Sequence, residues 1–147
     1  MRLNSDLRKF IELLNSRRVD YVIVGAHSLA FHGRPRYTGD LDILVSPDAE
    51  NAGKLVVLLN EFGFGEAGFK ESDFTQGAQV IQLGRASNRI DLLTSLTGVT
   101  NTDAFVDKVA AELDGIPVYV LSRNNLIRNK RSVGRPQDLA DLAELER

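Results

Sequence analysis

The chain has 147 residues, 43% of them hydrophobic and 26% charged, the make-up of one globular domain with its own core. A formal charge of -2 gives no overall drive toward nucleic acid or an anionic membrane. The lack of any cysteine rules out disulfides, thiolate nucleophiles and sulfur-ligated zinc or iron, and makes a reducing cytoplasm the expected setting.

Along the chain, Leu3, Leu7, Phe10, Ile11 and Leu14 alternate with charged residues, which predicts an amphipathic helix rather than a signal peptide or membrane span. The apolar run from Val19 to Val24 predicts a buried strand, and Ala26 to Phe31 a helix ending at Gly33. Leu41 to Val45 reads as a strand, and Ser46-Pro47 as the N-cap and first residue of a helix reaching about Phe62. From Gly63 to Gly77 the glycine-rich composition predicts a loop with short structure near Phe74. Gln79 to Leu83 and Arg89 to Leu93, separated by Gly84, Ser87 and Asn88, read as an antiparallel hairpin with a loop longer than the minimum. A helix from about Asp103 to Leu113 then precedes a short strand, Val118 to Leu121. Two C-terminal helices fill about 122–146, Ser122 to Arg131 and Pro136 to Glu146, with a break at Gly134. Residues 1–147 thus read as a single domain of the α+β class, a mixed sheet with flanking helices. No glycine-rich phosphate loop of the Walker or Rossmann type is present.

The chemistry is concentrated in three acids. Asp40 and Asp42 are two apart in an extended segment, so their carboxylates share a face while Leu41, Ile43 and Val45 take the other. Such a pair is either a solvated strand face or, since like charges repel and a hard divalent cation takes oxygen ligands, a metal site. Asp91 lies in the middle of a second apolar strand, where an acid needs a partner: Arg89, another strand's arginine, or the same metal ions. With Asp91 as third carboxylate, two ions could bind a triphosphate and activate a hydroxyl. Gly25 closes its strand just ahead of a helix, as a tight turn or as a seat for phosphate.

Val24-Gly25-Ala26, Asp40-Leu41-Asp42-Ile43 and Arg89-Ile90-Asp91-Leu92-Leu93 together resemble the DNA polymerase β-type nucleotidyltransferase superfamily. The segment from His32 to Asp42 is similar to the His-Gly-x-x-Arg-x-Thr-x-Asp-x-Asp pattern of its small bacterial and archaeal members, which include toxins of abortive-infection, toxin–antitoxin systems. In the tail, Leu126-Ile127-x-x-Lys130 and Gly134-Arg135-Pro136-x-Asp138-x-x-Asp141 resemble the closing segment of the same proteins. The resemblance implies a polymerase β palm-like fold and a transfer of a nucleoside monophosphate from a triphosphate such as ATP to an acceptor hydroxyl, dependent on two Mg²⁺ or Mn²⁺ ions. It makes Asp40, Asp42 and Asp91 metal ligands and catalytic groups, with Asp91 the acceptor of the hydroxyl proton. Gly25, Ala26, Arg36 and Lys130 become the nucleotide contacts.

One departure is Ala26, where the family carries serine or glycine, so a hydroxyl donor to the phosphates is lost; Ser28 is the nearest substitute. His27 and His32, five apart, sit about 140° from each other on a helix and read as structural or capping groups. Arg34 and Arg36 flank Pro35 as phosphate or acceptor grips, or as solvated loop arginines. Arg123, Arg128, Lys130, Arg131 and Arg135 form a basic run, of which Lys130 is the functional candidate; Asp138 and Asp141 are expected to cap the last helix and pair with these cations. The acceptor is a small molecule, a protein or an RNA, and a homodimer or partner subunit is expected to complete its side of the site. The competing function is a metal- and nucleotide-binding module without turnover, the antitoxin or regulatory half of a two-protein system.

Overall fold

A computed structural model describes residues 3–33, 39–84 and 88–147. In chain order the elements are α1 (Ser5–Ser16), β1 (Tyr21–Val24), α2 (Gly25–His32), β2 (Leu41–Val45), α3 (Ala49–Leu59), β3 (Val80–Leu83), β4 (Ile90–Leu93), α4 (Asn101–Val106), β5 (Val109–Leu113), β6 (Ile116–Val120), α5 (Arg123–Val133) and α6 (Pro136–Leu145). The strands make one six-stranded sheet in the order β3-β4-β2-β1-β6-β5. β2 runs parallel to β4 and β1 parallel to β6, while β1–β2, β3–β4 and β5–β6 are antiparallel. This is the expected mixed α+β sheet.

Strand alternation divides the interior in two. Leu41, Ile43 and Val45 of β2 and Ile90 and Leu92 of β4 join Phe10, Leu14, Leu55 and Leu58 in the core beneath α1 and α3. Leu44, Val22 and Val24 point to the other face, where Leu29, Ala104, Leu126 and Leu145 of α2, α4, α5 and α6 cover them. Each acid of these strands is one residue out of phase with the first set, so it leaves the sheet on the second face. Among the described residues no helix is long and apolar enough to cross a membrane.

Two boundaries differ from expectation. The helix after β2 is capped by Asp48, whose side chain accepts from Asn51 N, not by Ser46. Ser46 instead donates to Asp48 Oδ2 at 2.8 Å, one turn short of the helix. The α-helix ends at Leu59 and loosens into a wide turn, Asn60–Phe64, with Gly63 at φ +108°. The larger correction lies at 103–113, expected as a single helix. Only α4 is helical, and the alanine-rich remainder is strand β5. Asp114 and Gly115, at φ +51° and +78°, form the tight turn that folds β5 back on β6. A two-residue turn with both φ positive matches strand twist, and this pairing overrides the helix propensity of Val-Ala-Ala-Glu-Leu.

Candidate active site

Parallel pairing of β2 with β4 sets Asp42 opposite Asp91, and antiparallel pairing of β1 with β2 sets Val24 opposite Asp42. The chain leaves β1 at Gly25 directly above that carboxylate. A Cβ on Gly25 would overlap the Asp42 carboxylate and come within 3.0 Å of its Cβ, and the residue lies at φ +66°. Only glycine satisfies both conditions. The α2 helix begins here, its N-cap residue Val24 making no side-chain cap bond, and a helix start of this kind favours an anion.

Asp42 and Asp91 are in hydrogen-bonding contact, and the Asp42 carboxyl is pushed up to about 6. Burial is the main cause, followed by the bond to Asp91 and the charges of Asp91 and Asp40, while Arg89 acts in the opposite direction. Asp40 stands one residue ahead of β2, with Oδ1 accepting from Arg89 N at 3.0 Å. The Arg89 guanidinium grips Asp91 with both arms, Nε to Oδ1 at 2.7 Å and Nη2 to Oδ2 at 3.0 Å. Its Nη2 also lies 3.6 Å from Asp40 Oδ2. Among the described residues, therefore, no three acids or histidines are arranged as a ready ligand set. In chemistry the donors still suit a hard divalent ion: Asp42 and Asp91 are in contact, Asp40 is near enough for its charge to be felt, and burial together with these charges raises the Asp42 carboxyl.

From Asp42 a cleft of about 530 Å³ runs between the β3–β4 hairpin and α5, lined by Gly25, Gln79, Val80, Asn129, Lys130, Val133 and Arg135 among others. Asp42 and the tail residues Lys130, Arg135 and Asp138 thus line one cleft. Lys130 is nonetheless a buried ion-pair member, its Nζ 3.3 Å from Asp138 Oδ1 and 3.0 Å from Asp141 Oδ2. Asp138 is also held by Arg135 Nε at 2.6 Å; this bond above all, with Lys130 behind it, holds the Asp138 carboxyl down at about 2. The expectation that the two acids pair with nearby cations is met, and Asp138 also accepts from Arg135 N at the start of α6.

The remaining expected residues divide cleanly. His32 Nε2 bonds the carbonyl of Leu121 at 2.5 Å, and His27 is buried beside the backbone of Asp40, both structural roles. Ser28 is fully buried and does not line the cleft, so it does not stand in for the hydroxyl that Ala26 lacks. Arg128 pairs with Asp103 at the surface, and Arg123 binds the carbonyl of Leu145. Arg34 and Arg36 lie outside the described residues. The sequence reading missed Gln79, Asn129 and Val133, which have no motif and meet only through tertiary packing. Arg135 did carry a signal, its place three residues ahead of Asp138 across a helix start.

Neither a protein-family model nor a curated relative matches the sequence. Solved structures do. A Thermotoga maritima protein assigned as a nucleotidyltransferase shares 19% identity over 99% of this chain and 97% of its own, with a TM-score of 0.64. The lincomycin-bound lincosamide antibiotic adenylyltransferase LnuA shares 12% over 97% and 96%, at 0.60. The antibiotic-resistance factor ANT(2'')-Ia shares 13% over 97% and 80%, at 0.59. The chain has the fold of these nucleotidyltransferases.

Proposed function

We propose that this chain transfers a nucleoside monophosphate from a nucleoside triphosphate to an acceptor hydroxyl. The carrying observation is the strand register: it sets Asp42 beside Asp91, beneath Gly25 at the start of α2 and in a cleft lined also by Lys130 and Arg135. In this reading Asp40, Asp42 and Asp91 hold two Mg²⁺ or Mn²⁺ ions, which when bound polarise the phosphates and the attacking hydroxyl. Asp91 accepts the proton of that hydroxyl. The acceptor oxygen bonds to the α-phosphorus, the bond to the β-phosphate oxygen breaks, and pyrophosphate leaves. The N–H groups of Gly25 and Ala26 meet the phosphates, with Arg36 as a further contact. Lys130 has three donors, of which Asp138 and Asp141 take two, leaving one for a phosphate oxygen.

Two of the structural neighbours are adenylyltransferases or bind adenylylated antibiotic, which supports ATP as donor and a small hydroxylated acceptor ahead of a protein or RNA. Ala26 favours a second reading, a binding module that keeps the pocket without turnover, because the phosphates lose a hydroxyl donor there. Incubation with each labelled triphosphate, Mg²⁺ and cell extract separates the two: a labelled product with released pyrophosphate is expected. Tight nucleotide binding with no product would select the module.

A further inference from the structure

The cleft beyond the acids has two walls of matched make-up. On the hairpin side Val80 is 58% exposed and on α5 Val133 is 36% exposed, and both line the cleft. Beside each valine stands a neutral amide: Gln79 on the hairpin and, one turn back on the face of α5 that Val133 shares, Asn129. Strand register fixes where the hairpin wall falls. Gln82 pairs with Asp91 and Val80 with Leu93, so by alternation Val80 and Leu93 leave the sheet on the face of the acids. Leu93 is two residues past Asp91, about 7 Å along the strand. A nucleotide with its phosphates at Asp42 and Asp91 carries its base one sugar further on, a span of the same order, which lays the base over Leu93 and Val80. Both amides are also locked in one polarity. Gln79 Nε2 donates to the carbonyl of Gln76 at 3.0 Å, and Asn129 Nδ2 to the carbonyl of Thr97 at 2.9 Å. A carbonyl oxygen only accepts, so the nitrogen is the committed end of each side chain. The amide oxygen, with no hydrogen-bond partner among the described residues, is left for a ligand.

We infer that Val80 and Val133 clamp the nucleobase and that the amide oxygens of Gln79 and Asn129 read its edge, selecting a base with an exocyclic amino group, such as adenine, over one with a carbonyl in its place. This rests on the reading of the acids as the seat of a nucleoside triphosphate. The two valines give a planar ring apolar contact on both faces and are indifferent to its substituents. The oxygens discriminate, because an amino group donates to them while a carbonyl brings lone pairs against lone pairs.

Calorimetric titration of the full chain with ATP and with inosine triphosphate, each with Mg²⁺, tests this directly, since the second carries a carbonyl where the first has its amino group. The wild type is expected to bind ATP roughly three- to tenfold more tightly, the range of a net hydrogen bond converted to affinity. Asn129→Leu and Gln79→Leu, each shown by its melt to be folded, should weaken ATP toward the inosine nucleotide and leave the latter almost unchanged. Val80→Ser should weaken both nucleotides alike. Equal binding of the two nucleotides by the wild type, or a preference that survives both leucine substitutions, would overturn the reading of the base by these amides while leaving the triphosphate site standing. Absence of binding by either nucleotide would overturn the triphosphate site and this inference with it.

Discussion

At the scale of single residues, Asp42 is the most constrained group, held under Gly25, against Asp91 and within reach of the charge of Asp40. Its carboxyl is raised from 3.8 to about 6 in the folded chain. A group whose folded value lies above its unfolded one favours the folded state most when protonated, so this term is lost as pH rises from about 4 to about 6. Asp138 works the other way. Held at about 2, it contributes stability above pH 4 that disappears as pH falls toward 2. Asp42→Asn should remove the loss between about pH 4 and 6, so the stability of the variant relative to the metal-free wild type should rise across that window. Thermal melts across pH 3 to 8 check this. The same substitution should abolish transfer, since the amide keeps the shape and loses the charge. A variant that melted well below the wild type at pH 7 would mark Asp42 as structural instead.

At the scale of elements, α5 and α6 are joined through a charged seam. Lys130 from one helix and Asp138 and Asp141 from the other are all nearly inaccessible, with Arg135 and Gln137 closing the outer side. Removing one partner of a buried pair strands the other charge and costs about 3 to 5 kcal/mol. Lys130→Met should thus lower the melting temperature by roughly 6 to 20 °C for a chain of this size, and Asp141→Asn in the same chain should recover part of the loss. Arg128→Ala, at an exposed pair with Asp103, should change little. From the sequence Lys130 reads as a phosphate contact; the geometry gives the seam first claim on it, and any loss of nucleotide use must be measured on protein shown to be folded. Elements themselves were legible where one local signal governs: β2 has the expected bounds, and Ser122 and Gly134 delimit α5 as read. The reading failed where a tertiary partner decides. Val109 to Leu113 has helical composition, and only its pairing with β6 across Asp114-Gly115 makes it a strand.

At the scale of the whole molecule, the sheet order brings residues from β2, β4, the start of α2 and the tail to one cleft. The sequence showed which acids share a strand face, because alternation is local. It could not show that Asp42 and Asp91 are register partners, nor that Arg89 would turn onto Asp91 rather than into solvent. That balance of repelling acids and an internal cation makes a prediction about linkage between metal, nucleotide and proton. Mg²⁺ with a triphosphate replaces a charged cluster held by one guanidinium with one neutralised by ions, so the folded state alone gains binding energy. At a hundred times the dissociation constant this is about 2.7 kcal/mol, a rise in melting temperature of roughly 5 to 11 °C. Because the ions need Asp42 ionised, the rise should be larger at pH 7.5 than at pH 5, on either side of its value of about 6. Differential scanning fluorimetry with Mg²⁺ alone, triphosphate alone and both together resolves the terms. Triphosphate alone should shift the melt least, since it brings more negative charge to the acids, and an equal shift with and without Mg²⁺ at both pH values would mean that the nucleotide binds without engaging Asp42 at all.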